Sequence, residues 1–531
     1  MRGVEDAAPL QRPPGSLAKF SAFYFLHAPS LQDSHKPPLA FPHGFCYNRQ
    51  TVKKKIERIE EERGVHSSLR KKYIGNAAFY KMALAVAIPI MIQNGITNFV
   101  SLLDNIMVGR VGTEQMTGVA IVNQLIFVFN LAIFGAVSGA GIFGAQYYGK
   151  GDWDGVRQTF RFKLLVCTAL TVLGAGIFLL FGEDLILLYL KGDGSPEQIA
   201  ASLGYAKEYL LIMLVGFIPF TLSQCYSGTL RETGQTVVPM VAGVVSVAVN
   251  LCFNTLLIFG YLGFPRLGAS GAAIATVIAR FVEAGVVMLW AHRNPERVPY
   301  LRGVYRSFHI PAALARAIAK KSIPLLLNET LWAAGMALLA QCYSVRGYDV
   351  VSAYNICSTV SNVFNVAFMA MGNAVGILVG QLLGAGKMEE AVDTDRKLIT
   401  FSVGICIVLG GLMALVAHLF PQIYNTSDSI RGLAASFIRI CALCMPINAL
   451  ANACYFTLRS GGKTFVTFLF DSFYVCVLTV PMAFVLSRFT GLPIVPLFLC
   501  CQLADIGKCV VGLIMIRRGV WIQNIVGREA A

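Results

Sequence analysis

Up to about residue 81 the chain mixes polar, charged and apolar positions without a sustained period. From Met82 the pattern changes: no lysine, arginine, aspartate or glutamate lies between Lys81 and Asp104, and apolar runs of that length recur to the end. Roughly 20 apolar residues cross a bilayer as a helix. Twelve such runs fall at about 82–104, 117–140, 160–182, 203–228, 237–260, 269–291, 317–343, 351–378, 397–420, 432–457, 464–487 and 492–516. A lipid-embedded backbone must satisfy its own hydrogen bonds, so the choice is helices or a closed barrel. Barrel strands would alternate in runs of about ten. These runs do not alternate, and the expected fold class is an all-α polytopic membrane protein with twelve transmembrane helices.

Composition agrees. The 531 residues are 56% hydrophobic and only 14% charged, against about a quarter in soluble domains. The net charge of +15 is the excess of Lys and Arg that membrane proteins gather on the cytosolic side, and it implies no nucleic-acid partner. Lys53–Lys55, Arg70–Lys72, Lys150, Arg157, Arg161, Arg231, Arg293, Arg302, Lys320, Lys321, Lys387, Arg459, Lys463, Arg517 and Arg518 fall on one side of the span pattern, while Arg110, Lys191, Lys207, Arg266, Arg346, Arg431 and Arg488 fall on the other. The expectation is a cell-membrane protein with both termini in the cytosol. Residues 1–50, with "QRPPGS" and "HKPPLAFPHG", read as disordered, and "TVKKKIERIEEER" (51–63) as a short charged helix. Cys441 and Cys444 have CxxC spacing but no second pair or histidine cluster beside them. They read as small apolar helix residues, and no metal or cofactor is expected.

The two halves repeat. "AIPIMIQN" (87–94) matches "SIPLLLNE" (322–329), and "GAQYYGKGD" (144–152) matches "GQLLGAGK" (380–387), both at an offset of 235 that lays Pro89 on Pro324 and Gln146 on Gln381. "LRETGQT" (230–236) matches "LRSGGKT" (458–464) at an offset of 228, the difference fitting a longer loop around "KGDGSPEQ". Each repeat holds six spans. An even-numbered unit re-enters the membrane the same way up, so the lobes should be related by an axis along the membrane normal. The expected organisation is a cytosolic extension (1–75), an N-lobe (76–291), a cytosolic linker (292–316), a C-lobe (317–520) and a cytosolic tail (521–531).

Ionisable groups inside spans cost about 2.5–3.5 kcal/mol each on insertion scales and need reasons. Asp104 reads either as an interfacial carboxylate held by water or a helix end, or as a cation or proton site. Glu329 follows Pro324 by five residues, and proline frees backbone carbonyls, so it reads as a second proton or cation site or as a structural acceptor. Offset 228 lays Arg280 on Lys508, each with an acid three residues away, Glu283 and Asp505. Residues three apart share a helix face, and these read as structural intramembrane pairs. Asp471 is expected to find an interfacial partner near Lys463. Phe127, Trp332 and Tyr354 offer aromatic faces to a cationic substrate, and Asn328 is grouped with them as substrate-binding. There is no Walker A glycine loop, so ATP is not the energy source.

These motifs together resemble the multidrug and toxic compound extrusion family, in its bacterial form. "LLDNIMVGRVG" is similar to the family's first-span Asp-x-x-x-x-Gly signature. "GAQYYGKGD" and "VGQLLGAGK" resemble its loops after the second and eighth spans, and "LRETGQT" and "LRSGGKT" those after the fourth and tenth. "NLCFNTLLIFG" and "GASGAAIAT" resemble its fifth and sixth spans. The likeness covers about residues 80–520. It implies two six-helix lobes in a V that export bulky, often cationic compounds in exchange for Na⁺ or H⁺. Asp104 would be the N-lobe coupling carboxylate, with Asn250 and Thr276 as ligands. Some members carry a second carboxylate where this chain has Asn254, and an acid where it has Asn448. The implied partners are a small organic molecule, the coupling cation and the bilayer, with the chain acting as a monomer and not as an enzyme. The alternative is a lipid-linked oligosaccharide flippase of the same superfamily, which would line its cavity with more cations.

Overall fold

The computed structural model describes residues 72–190, 195–424 and 426–527. The readings of residues 1–50 and 51–63 lie outside these. Among the described residues there is no strand. The helices in chain order are α1 (Ala77–Gly109), α2 (Thr113–Lys150), α3 (Trp153–Leu190), α4 (Pro196–Val215), α5 (Phe217–Glu232), α6 (Val237–Phe259), α7 (Gly268–Arg293), α8 (Ala312–Ser344), α9 (Tyr348–Gly384), α10 (Met388–Val416), α11 (Asp428–Ser460), α12 (Thr464–Phe489) and α13 (Ile494–Arg517). Among the described residues eleven are long and apolar enough to cross a membrane, and α4 and α5, bent by 45°, bring the count to twelve if they are taken as one span. The bend has a local cause: Pro219 has no N–H to return to the preceding turn, and Gly216 sits at the break. Most helices outrun the expected spans because their polar ends continue past the apolar run.

The repeat seen in the sequence is a repeat of backbone geometry. Pro89 and Pro324 lie inside α1 and α8. The helices α2 and α9 both end at a left-handed glycine, Gly151 (φ 77) and Gly386 (φ 77). So do α5 and α11, at Gly234 (φ 80) and Gly462 (φ 71). At these last two ends the same pair of bonds closes the turn: Gln235 to the Leu230 carbonyl at 2.7 Å and Lys463 to the Leu458 carbonyl at 3.2 Å. Positive φ costs glycine nothing, which explains why each motif keeps a glycine there.

The first helix of each repeat crosses to the other lobe. Ala83, Val86, Ala87 and Ile90 of α1 share a buried cluster with Ala370, Met371, Ala374 and Leu378 of α9. Leu314 and Ile318 of α8 join the N-lobe cluster. Small residues allow the approach: a Cβ at Gly139 of α2 would meet the Ser322 side chain of α8 at 2.2 Å, and one at Gly135 would meet Leu326 at 2.9 Å. The linker is packed, not loose. Val298, Tyr300 and Val304 are at most 1% exposed, and α3 holds the segment with Arg157 Nε on the Tyr300 carbonyl at 3.1 Å and Arg161 Nε on the Val304 carbonyl at 2.9 Å. We call the end of the bundle where α13 finishes the tail face. The ends of α2, α5, α9 and α11 meet there.

Candidate functional site

Each lobe carries a polar cluster inside its bundle. In the N-lobe, α6 places Asn250 and Asn254 one turn apart on the same face. Asn254 Nδ2 donates to Asp104 Oδ1 of α1 at 2.5 Å and to Asn250 Oδ1 at 3.1 Å, and Asn250 Nδ2 donates to Thr276 Oγ1 of α7 at 3.2 Å. Asn254 is fully buried and Asn250 is 5% exposed, while Asp104 is half-buried. Asn254 Oδ1 is buried with no hydrogen-bond partner among the described residues. The sequence-derived set Asp104, Asn250, Asn254 and Thr276 is therefore one connected group. It offers a carboxylate, amide oxygens and a hydroxyl, the hard donors that Na⁺-like cations favour.

Arg280, one turn along α7, pairs with Glu283 at 3.4 Å and stacks on Phe220 at 4.8 Å from the ring centre. It acts on Asp104 through space, but the hydrogen bond that Asp104 receives comes from the neutral Asn254.

The C-lobe is built differently. Lys508 of α13 reaches Asp471 of α12 at 3.0 Å and Asp505 at 3.6 Å. The Asp505–Lys508 pair read from spacing is present, but the shorter contact is to Asp471, whose partner is thus Lys508 and not Lys463. A local reading could not find it, because α12 and α13 meet through tertiary packing. Asp471 lies in a π-helical stretch, Leu469–Phe473, a distortion that often accompanies sites where side chains are re-aimed. Asn328 of α8 holds the same stretch: its Nδ2 donates to Asp471 Oδ2 at 3.2 Å, its Oδ1 accepts from the Ser472 amide at 3.3 Å, and its backbone carbonyl accepts from Ser472 Oγ at 2.6 Å. Asn328 is 2% exposed, so its amide serves this internal bridge. Glu329 is half-buried beside it, within electrostatic reach of Arg459 and Asp471.

The aromatic candidates part company. Phe127 (42% exposed) and Trp332 (40%) present open faces on α2 and α8. Tyr354 of α9 packs with Tyr343 at 5.6 Å and Phe498 at 6.3 Å as part of C-lobe packing. Cys441, read beside Cys444, has Cys357 as its sulfur neighbour at 3.6 Å, and the described cysteines are all free.

Three features went unread in the sequence. Lys163 of α3 is fully buried and bonds both Glu232 oxygens, at 2.7 and 2.6 Å, and Thr229 Oγ1 at 2.9 Å. Asp395 of α10 is 1% exposed and accepts from Thr457 Oγ1 at 2.5 Å; Thr229 and Thr457 are repeat counterparts at offset 228. Between the lobes lies a cavity of about 90 Å³ lined by counterpart pairs, Ser138 with Asn373, Gly141 with Gly376, and Arg231 with Arg459. The repeat was a signal for the cavity, whose lining pairs an offset of 235 or 228 relates, but not for Lys163 or Asp395, whose counterparts carry no charge.

Known proteins point the same way. The MatE family model matches residues 89–256 and 324–485, one match in each lobe. The chain is 23% identical over 455 residues to a probable multidrug resistance protein NorM of Thermotoga maritima, covering 84% of this chain and 94% of that protein. It is 24% identical to the multidrug resistance protein PmpM of Pseudomonas aeruginosa, over 77% of this chain and 84% of the relative. A solved structure described as the outward-facing conformation of a multidrug resistance MATE family transporter superposes with a TM-score of 0.75 at 19% identity, covering 83% of this chain and 95% of the other. A MOP superfamily transporter from Pyrococcus furiosus gives 0.74 at 18% identity, covering 85% and 97%. The match in both halves, on a bundle whose halves repeat, establishes that this chain is a multi-pass membrane transporter of the MatE family.

Proposed function

We propose that this chain exports bulky organic cations across the cell membrane in exchange for Na⁺ or H⁺, with Asp104 as the coupling carboxylate. One observation carries the reading: the hydrogen bond to Asp104 comes from a neutral amide, and the buried Asn254 Oδ1 beside it has no partner among the described residues. A carboxylate in a bundle is costly when charged. A proton or a cation bound there removes that cost, so occupancy of the site and the arrangement of the helices around it are linked. The relatives' multidrug names support organic substrates, and the half-exposed rings of Phe127 and Trp332 suit a cation by their π faces. Glu329 supplies a negative charge on the C-lobe side. The charge distribution of the loops supports cytosolic termini, and twelve spans in one chain suffice for a monomer.

In the cycle this implies, substrate and coupling cation compete for one loaded state. Loss of the cation from Asp104 restores the costly carboxylate, and loading of the next one drives the lobes to the opposite face. Purified protein in liposomes, loaded with a fluorescent organic cation and given an imposed Na⁺ or proton gradient, tests this. Export driven by one of the two gradients is expected. Equal export with and without either gradient would refute coupling.

A further inference from the structure

The chain behind α13 turns back across the tail face and reaches the N-lobe. Trp521 and Val526 are each 1% exposed. Val526 follows the last C-lobe helix yet belongs to the N-lobe hydrophobic cluster. The Ile525 amide donates to Gln146 Oε1 at 2.9 Å, and Lys150 Nζ donates to the Val526 carbonyl at 3.5 Å, both residues on α2. Asn524 Nδ2 donates to the Gly384 carbonyl at the end of α9, at 3.2 Å. One segment therefore bridges both lobes.

Beneath it the lobes exchange hydrogen bonds. Gln146 Nε2 donates to the Ser460 carbonyl at the end of α11, at 2.9 Å. Its repeat counterpart Gln381 donates to the Glu232 carbonyl at the end of α5, at 2.8 Å. Glu232 and Ser460 are themselves counterparts at offset 228. Each glutamine thus caps a helix-end carbonyl of the opposite lobe, a group that has no partner within its own helix. The backbones touch: a Cβ at Gly149 would lie 1.8 Å from the Gln381 carbonyl oxygen, and one at Gly384 1.9 Å from that of Gln146.

The glutamine exchange is symmetric; the returning segment is not. Gln146, fully buried, also donates to the Gln523 carbonyl at 3.2 Å. The asymmetry is written in the motifs. "LRSGGKT" carries Gly461 where "LRETGQT" carries Thr233, and a Cβ at Gly461 would meet the Trp521 carbonyl oxygen at 1.8 Å. A side chain is accommodated at 233, where Thr233 is buried against Tyr300 of the linker, and is excluded at 461.

We propose that residues 519–527 form a strap that locks the lobes together on the tail face, that Gln146 is the residue positioning it, and that the strap releases Gln146 each time the cleft opens on this side. This rests on the lobes parting during transport; the first experiment below needs no transport, so the two ideas can fail separately.

Hydrogen–deuterium exchange on the full chain in lipid nanodiscs is the first test. Gly461→Ala displaces Trp521 without removing a hydrogen-bonding group, and Gln146→Ala removes the amide. Each is expected to raise exchange in 144–150, 380–386 and 521–527 about tenfold, the effect of one or more lost hydrogen bonds, while 269–291 in α7 stays as in the parent. Unchanged exchange in 144–150 and 380–386 with both variants would overturn the lock. The second test joins Lys150→Cys to Gly527→Cys, both at exposed positions, with a bis-maleimide that carries a reducible disulfide, each single variant treated alike as control. Export is expected to stop and to return on cleavage. Export at the unlinked rate would show that the strap need not move.

Discussion

The polar clusters of the two lobes occupy related bundles and hold their carboxylates in opposite ways. In the C-lobe, Asp471 and Asp505 face a permanent internal cation, Lys508, at 3.0 and 3.6 Å. In the N-lobe the counterpart cation, Arg280, turns to Glu283 at 3.4 Å, and Asp104 takes its hydrogen bond from Asn254. In the C-lobe one cation contacts both carboxylates; in the N-lobe the cation contacts Glu283, and on the proposed reading Asp104 is left for a charge from outside. On that reading the related scaffolds differ in where their cation sits, and the N-lobe carries the exchangeable charge.

The largest effect expected from breaking this comparison falls on Asp104. Asp104→Asn keeps the shape but cannot bind or release a charge, and gradient-driven dye export should fall to the background of protein-free liposomes, with the melting temperature in detergent retained. Next comes Lys508→Ala. It strands two half-buried carboxylates, at less than the about 3–5 kcal/mol of breaking a fully buried pair, so it should lower thermal stability; Lys508→Ala combined with Asp471→Asn should recover much of the loss. Asn254→Ala removes the unpartnered Oδ1 that would face a bound Na⁺, a contact to a charge worth about 1.5–3 kcal/mol, and should weaken Na⁺ affinity measured by calorimetry by about ten- to a hundredfold. Thr276→Val, which removes only a neutral hydroxyl from the far end of the chain of amides, should shift that affinity by less than about tenfold.

Much of this was legible in the sequence, for physical reasons. Spans are dictated by the thickness of hydrocarbon, and the repeat by turns that need glycine, so Gly234 and Gly462 declare themselves. Asn250, Asn254 and Thr276 were read from the family resemblance, and the one helical turn between the two asparagines agrees with their meeting. What depends on tertiary contact could not be read. Asp471 meets Lys508 only because α12 and α13 pack, and nearest-neighbour reasoning picked Lys463 instead. Lys163 sits near the start of its apolar run, where a lysine reads as an interfacial charge, yet it is fully buried against Glu232. "WIQNIV" after α13 has no period and read as part of a cytosolic tail. The sign that something lies over it was Gly461, a second glycine in a motif whose partner needs only one.

The central claim is that a charge from outside occupies Asp104 and is given up when substrate loads. Calorimetry and a pH-sensitive dye in weakly buffered solution can count Na⁺ and H⁺ released when a saturating organic cation is added to the purified protein. The account predicts about one cation released per chain, unchanged in Glu329→Gln and absent in Asp104→Asn. Release at the same stoichiometry from Asp104→Asn would contradict it and would move the coupling site to the C-lobe.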